Sequence, residues 1–255
     1  MSRLSTAAIV LRRREYGDFD LIVTLLSRDH GKQTLIAKAA KKSVKRFPGI
    51  LEPFNHLHIT FRQPQHGKGM PVLEEASLIR TPGRIRADFA RAVHASYWVE
   101  CIGLWMQEGQ VRTDLFELLH FALSELDTQH IAPDMLSILF QMRFIGQEGF
   151  QPMLARCACC QTGIDQLAQD DFCVDLGKGG VVCNQCPPEG HRGLRLSKGT
   201  LKQLLWIADG DLAQARRARF SGQTLAEARA FLEAFVPYHI GRVPKSLRIL
   251  QQIRQ

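Results

Sequence analysis

Two Cys-x-x-Cys pairs are the feature that most constrains the fold of this 255-residue chain. Cys157 and Cys160 form the first pair, and Cys183 and Cys186 form the second after 22 intervening residues. Each pair turns tightly enough to direct two sulfurs toward one point, and four thiolates complete the tetrahedral shell that zinc prefers in structural sites. The sequence therefore predicts one structural Zn²⁺ ion, with no ligand position left for a catalytic water.

Other uses of the cysteines stay open at this point. Cys159 competes with Cys160 as a ligand. Cys160 is chosen because two residues separate it from Cys157, as in a Cys-x-x-Cys pair. Buried free thiols or two redox pairs are alternatives, although a redox motif is expected beside a βαβ pattern and none is visible. Cys101 is predicted to be a small buried residue, and Cys173 to be structural.

Length and composition set the class of protein. A chain of 255 residues with 45% apolar content can bury a substantial core in one to three domains. The N-terminus lacks an apolar signal core and no run of about 18 apolar residues occurs, so we expect a cytoplasmic protein without a membrane contact. Seven cysteines with metal-type spacing fit a reducing compartment.

The net charge of +8 is unevenly distributed. Residues 1–83 carry +7, residues 84–150 carry −4, residues 151–190 carry −3 and residues 191–255 carry +8. Two basic ends flank an acidic middle, which indicates a polyanionic partner at the ends.

The densest cationic stretch contains no acid between Asp29 and Glu52. Its cations are Lys32, Lys38, Lys41, Lys42, Lys45 and Arg46. A charge run alone is more often a solvated face than a nucleic-acid site, so its position in the fold matters.

Five short strands are predicted around this stretch, at residues 7–11, 21–26, 33–37, 57–61 and 72–79. The fourth alternates cleanly, with Leu57, Ile59 and Phe61 on one face. Five strands in about 80 residues with basic loops indicate an OB-fold, which binds oligonucleotides through exposed strands and loops. Residues 39–49 then form a basic loop after the third strand. Phe47 and Phe54 are candidates for stacking on bases, with Phe54 better suited to the core.

Beyond Pro82 and Gly83 the apolar periodicity becomes helical, which predicts an α+β protein. Pro133 is placed as a first-turn proline, and Thr224 with Glu227 has the pattern of a capping box. The predicted domains are an OB-fold at 1–82, a helical domain at 83–152, a four-cysteine module at 153–192 and the rest of the helical domain at 193–255.

Several segments together resemble the RecO family of bacterial DNA repair proteins. They are residues 9–18 (IVLRRREYGD), 20–26 (DLIVTLL), 31–32 (GK), 37–42 (AKAAKK), 51–54 (LEPF), 149–152 (GFQP), 179–180 (GG) and 245–248 (KSLR). The chain departs from the family pattern at Ala39, where glycine is usual, and at Gln161, where glycine commonly follows the second cysteine. Some family members lack the cysteines, so the resemblance implies a structural zinc site.

The resemblance implies a recombination mediator that binds single- and double-stranded DNA without sequence specificity. Such a protein anneals complementary strands, helps to load RecA on DNA coated by the single-strand-binding protein SSB, and works with RecR and with the acidic tail of SSB. It has no small-molecule substrate, and it associates with the nucleoid.

The predicted DNA contacts follow from the charge map. Phosphate contacts are expected from Lys38, Lys41, Lys42, Lys45 and Arg46, with Lys32 in the same stretch and with Arg12, Arg13 and Arg14 as weaker candidates on the first strand. A second basic set either extends this track or attracts the SSB tail. It comprises Arg216, Arg217, Arg219, Lys245 and Arg248.

Two rival functions are weaker. A zinc-dependent enzyme would need a motif such as His-Glu-x-x-His or His-x-Glu, and an ATPase would need a phosphate-binding loop; the sequence has none of these, so no enzymatic activity is expected. A zinc-ribbon transcription regulator is the alternative, and it would prefer a defined duplex sequence.

Overall fold

The structure, a computed structural model, describes residues 3–64, 69–128, 130–186, 193–212 and 217–254. The chain divides into two compact units, Met1–Thr128 and Gln129–Gln255. None of the described helices is long and apolar enough to cross a membrane.

Five strands of the first unit close into a barrel in the order β1-β2-β3-β5-β4. They are β1 (Arg3–Tyr16), β2 (Asp20–Ser27), β3 (Gly31–Ala37), β4 (His56–Arg62) and β5 (Val72–Arg80). β3 and β5 pair in parallel, and the other neighbours are antiparallel. This closed barrel is the predicted OB-fold.

Alternation along each strand fills the barrel. Leu57, Ile59 and Phe61 of β4 are fully buried in its core, as their spacing predicts. β1 has a bulge between Val10 and Arg12, and its pairing with β4 covers Arg3 to Ile9. Residues 12–16 therefore pair with β2 alone, at an open edge of the sheet, and are exposed.

Three helices follow in the same unit. They are α1 (Gly83–Ala87), α2 (Phe89–Trp105) and α3 (Thr113–Thr128). Asp88 caps α2 by accepting a hydrogen bond from the Arg91 amide at 3.1 Å. Tyr97 and Trp98 of α2 are fully buried, so α2 is a central helix of this unit. The chain changes from strand to helix between Arg80 and Gly83. The domain limits predicted from the sequence, at residues 82, 152 and 192, stay predictions.

The second unit combines helices with a small sheet. Its elements are α4 (Pro133–Gln147), β6 (Asp171–Asp175), β7 (Gly180–Val182), β8 (Arg195–Ser197), α5 (Lys198–Asp209), α6 (Gly222–Ile240) and α7 (Lys245–Gln252). The strands form a sheet in the order β7-β6-β8. Pro133 occupies the first turn of α4, as predicted.

The predicted capping box at Thr224 and Glu227 is wrong. Ser221 caps α6 by accepting from the Thr224 amide at 3.1 Å, so the helix begins three residues earlier. The Glu227 carboxylate instead accepts from the amide and hydroxyl of Ser197, both at 2.8 Å, and from the Thr200 hydroxyl at 2.6 Å. Glu227 therefore ties α6 to the start of α5.

Candidate metal centre and nucleic-acid interface

The sulfurs of Cys157, Cys160, Cys183 and Cys186 all lie within 4.8 Å of one another. The first pair is held against β7, because the Ala158 amide donates to the Val181 carbonyl at 2.7 Å. These are the four residues predicted from the spacing, and together they could hold a metal ion.

Backbone amides support the sulfurs. The amides of Cys159 and Cys183 both donate to the Cys157 sulfur at 3.4 Å. The Cys159 side chain lies outside the group of four and accepts from the Lys178 ammonium at 3.2 Å. The geometry therefore favours Cys160 over Cys159 as the second sulfur of the first pair.

Two of the clustered thiols have pKa values shifted in opposite directions. A hydrogen bond with Thr162 lowers the pKa of Cys160 to about 6, and a hydrogen bond with Cys183 raises the pKa of Cys186 to about 12. Crowded thiolates repel one another, whereas a divalent cation among them stabilises the fully deprotonated set. The donor set therefore fits a thiophilic metal such as zinc.

The two remaining cysteines are buried, which was predicted for Cys101. Cys173 is 6% exposed and packs in the same small core as Cys157. Cys101 lies in α2, and burial raises the pKa of its thiol. Neither belongs to the group of four sulfurs.

The basic loop has a fixed structure on the barrel. The Ala39 amide donates to the Asp20 carboxylate at 2.7 Å, and the Lys41 amide donates to the Phe19 carbonyl at 3.0 Å. Ala40–Lys42 forms one turn of 3-10 helix. Phe47 is only 3% exposed and packs into the barrel core. These contacts fix the loop against the start of β2.

Burial of Phe47 makes its predicted stacking on bases wrong, because its ring serves to hold the loop on the barrel. Phe54 is half-buried and lines a small cavity with Ile9 and Leu123, and it is not among the residues that pack the barrel core, where it was predicted to fit better.

The predicted loop cations lie at the surface. They are Lys38, Lys41, Lys42, Lys45 and Arg46. Lys41 pairs with Glu15 at 2.8 Å, and this hydrogen bond lowers the pKa of Glu15. The Lys42 ammonium lies 3.4 Å from the centre of the Phe19 ring. In the described part of the chain, neither Lys38 nor Lys45 forms an ion pair.

Arg12, Arg13 and Arg14 are exposed on the C-terminal part of β1. Arg13 pairs with Glu52 at 2.8 Å. A groove of about 210 Å³ separates this strand from the basic loop, with Arg13 and Lys41 in its lining.

Lys32 differs from the other predicted cations. It is half-buried, and its ammonium donates to the carbonyls of Gly103, at 3.1 Å, and Met106. A cation at these carbonyls stabilises the C-terminus of α2. Lys32 thus has a structural role that the charge run alone did not reveal.

The second basic set is partly described. Arg217, Arg219, Lys245 and Arg248 are exposed in the second unit, and Arg216 lies outside the described residues.

Sequence reasoning missed the side chains at the turn between β1 and β2. Tyr16 and Phe19 are 54% and 44% exposed, although turns usually carry polar residues. Two aromatic residues around Gly17 and Asp18 were the signal that could have identified them.

The barrel with its basic loop, the helices after it and the four-cysteine group define the class. It is an α+β protein with an N-terminal OB-fold and a candidate metal site.

Comparison with known proteins identifies the family within that class. The sequence matches the family profiles described as Recombination protein O N terminal, over residues 1–82, and Recombination protein O C terminal, over residues 86–248. DNA repair protein RecO of Desulfosudis oleivorans is 42% identical over 258 residues, which cover 100% of this chain and 99% of the relative. The RecO protein of Desulfatibacillum aliphaticivorans is 39% identical over 255 residues, with 100% and 99% covered. The chain belongs to the RecO family of DNA repair and recombination proteins.

Proposed function

We propose that this protein is a non-enzymatic recombination mediator. It binds single- and double-stranded DNA without sequence specificity, anneals complementary strands and helps to load RecA on SSB-coated DNA. Membership of the RecO family supports a role in DNA repair and recombination.

The exposed basic loop is the observation that best supports DNA binding. Its cations Lys41, Lys42, Lys45 and Arg46 follow one another without an intervening acid. Cations on such a loop displace counterions from phosphates, which provides affinity without reading the base sequence. They also lower the repulsion between two strands brought together, as annealing requires.

Arg12, Arg13 and Arg14 extend the proposed interface along β1. The groove of about 210 Å³ between that strand and the basic loop leaves room for a phosphate near Arg13 and Lys41. Lys32 is left out because its ammonium is occupied at the end of α2.

The metal centre is proposed to hold one structural zinc ion. Cys157, Cys160, Cys183 and Cys186 supply a full set of four thiolates, so zinc would stabilise the fold of this segment and leave no ligand position for substrate.

RecR and the acidic tail of SSB are the proposed protein partners. The exposed cations Arg217, Arg219, Lys245 and Arg248 have the charge that an acidic tail requires, and they also have the charge that DNA requires.

Annealing of complementary strands coated with SSB tests the proposal. We expect annealing by the wild type and its loss when Lys41, Lys42, Lys45 and Arg46 are all changed to Glu. The matched control exchanges each lysine for Arg and Arg46 for Lys, which keeps the charge, and it should anneal like the wild type.

Failure of the folded, zinc-loaded wild type to anneal would contradict the proposal. Preference for one duplex sequence over random DNA would favour a transcription regulator instead, and turnover of a DNA substrate would favour an enzyme.

A further inference from the structure

The turn between β1 and β2 exposes an aromatic ring beside the basic loop. Phe19 is 44% exposed and is absent from the barrel core, so burial does not explain a phenylalanine at this position. Exposed aromatic side chains next to cations are the elements from which single-strand binding surfaces are built.

One face of the Phe19 ring is already covered by a cation. The Lys42 ammonium lies 3.4 Å from the ring centre, well within the range of a cation–π interaction. The residue keeps 44% of its surface exposed in spite of this contact. A flat ligand therefore has access to the ring while Lys42 supports it from the covered side.

Backbone bonds hold the ring and the loop cations on one surface. The Lys41 amide donates to the Phe19 carbonyl at 3.0 Å, and the Ala39 amide donates to the Asp20 carboxylate at 2.7 Å. Gly17 allows the turn with a φ of 57°. Because these contacts leave the Phe19 ring out, changing the ring should not release the loop.

We propose that Phe19 is a base-stacking platform of the DNA site. An unpaired nucleobase stacks on the ring face that Lys42 leaves free, while phosphates of the same strand contact Lys42 and Lys45. This inference rests on the proposed DNA binding and extends it. Bases in a duplex are already stacked on their neighbours, so the platform acts only on single strands.

The test compares a thymidine strand with an abasic strand of the same length, which has the same phosphates and no bases. We expect the wild type to bind the thymidine strand at least about five-fold more tightly, as stacking of one base implies. Phe19→Leu should lose about five-fold or more on the thymidine strand and should bind the abasic strand and a duplex as the wild type does. Binding is measured by fluorescence anisotropy.

Phe89→Leu is the matched control. Phe89 is 68% exposed in the same unit and lies at the start of α2, outside the turn and the basic loop, so its replacement should change none of these affinities. A Phe19→Trp variant gives an independent signal, because its indole fluorescence should be quenched by the thymidine strand and not by the abasic strand.

Equal binding of thymidine and abasic strands by the wild type would overturn the stacking role. The stacking role would also be overturned if Phe19→Leu lost the same affinity for the thymidine strand and for the abasic strand, because that result would indicate a disturbed loop. Absence of salt-dependent binding to any strand would instead overturn the proposed DNA binding itself.

Discussion

Two single residues, Ala39 and Gln161, adopt left-handed backbone conformations with φ of 55° and 63°. They are also the two positions at which the sequence departs from a usual glycine in the family pattern. An L-residue in this region costs about 1–2 kcal/mol relative to the right-handed region, whereas glycine has no such cost. The glycines that the resemblance implies at these two positions would have a local physical reason, because glycine adopts this conformation without strain.

Replacing Ala39 with glycine should stabilise the protein. We expect Ala39→Gly to raise the free energy of unfolding by about 1 kcal/mol, since relief of the left-handed strain exceeds the extra chain entropy of glycine. Urea denaturation measures the change. Ala40→Gly is the control, because Ala40 is buried in the 3-10 turn and its replacement should lower stability. A loss of stability in Ala39→Gly would show that the loop needs the alanine side chain.

Cys159 and Cys160 allow a direct test of the metal ligands. Cys160→Ala removes one of the four clustered sulfurs and should lower zinc affinity by more than the roughly 10–100-fold that loss of a supporting partner costs. Cys159→Ala removes only the sulfur that contacts Lys178 and should keep a full equivalent of zinc. Metal analysis of the purified variants distinguishes them, and the reverse order would assign Cys159 as the ligand.

Which single residues could be predicted depends on how local their cause is. The four clustered cysteines follow from spacing, because a Cys-x-x-Cys turn is set by its own few residues. The roles of Phe47 and Lys32 depend on contacts with distant parts of the chain, with the barrel core and with the end of α2. The residues next to Phe47 and Lys32 in the sequence do not indicate either contact.

At the scale of secondary structure, short apolar segments predicted all five barrel strands, and alternation predicted the buried face of β4, because that face must lie in the core. Helix starts were less predictable. Thr224 and Glu227 satisfy the capping-box pattern, yet Ser221 begins α6 three residues earlier and Glu227 binds Ser197 and Thr200 of another segment. A spacing rule cannot detect that a carboxylate has a better partner elsewhere.

That contact between α5 and α6 should make a measurable contribution to stability. Burial opposes ionisation of Glu227, but the hydrogen bonds from Thr200 and Ser197 outweigh it and lower the pKa of the carboxyl. Glu227→Ala leaves these donors without their acceptor, and we expect the free energy of unfolding to fall by about 2 kcal/mol at neutral pH. Gln223→Ala, which removes only an exposed donor to Glu227, should cost much less.

The stability from Glu227 should also depend on pH. Because its pKa is lower in the folded state, its contribution is complete above the ordinary glutamate pKa of about 4.3 and is lost as the pH falls through the folded value. The difference between wild type and Glu227→Ala in urea denaturation should therefore shrink in acid. A difference that stays constant with pH would mean that lost packing, and not the ionised carboxylate, is responsible.

Across the whole molecule, the distribution of charge was visible in the sequence, with basic ends around an acidic middle. The structure shows which of these cations already have partners within the protein. Lys41 and Arg13 are paired with Glu15 and Glu52, while Lys32 is engaged at the end of α2. Counting charges therefore overestimates the number of cations available to DNA.

The salt dependence of binding measures how many cations contact DNA. On single strands the logarithm of the binding constant falls with the logarithm of salt by about 0.7 per phosphate contact. The five loop cations therefore contribute at most about −3.5 to the slope, an upper limit because Lys41 is paired with Glu15. Changing Lys41, Lys42, Lys45 and Arg46 to Gln leaves Lys38 and should reduce the contribution of the loop to about −0.7. A wild-type slope near −6 would indicate about four contacts outside the loop, which Arg12, Arg13 and Arg14 or the C-terminal cations would supply. Phe19→Leu should leave the slope unaltered, because a stacked base releases no counterion.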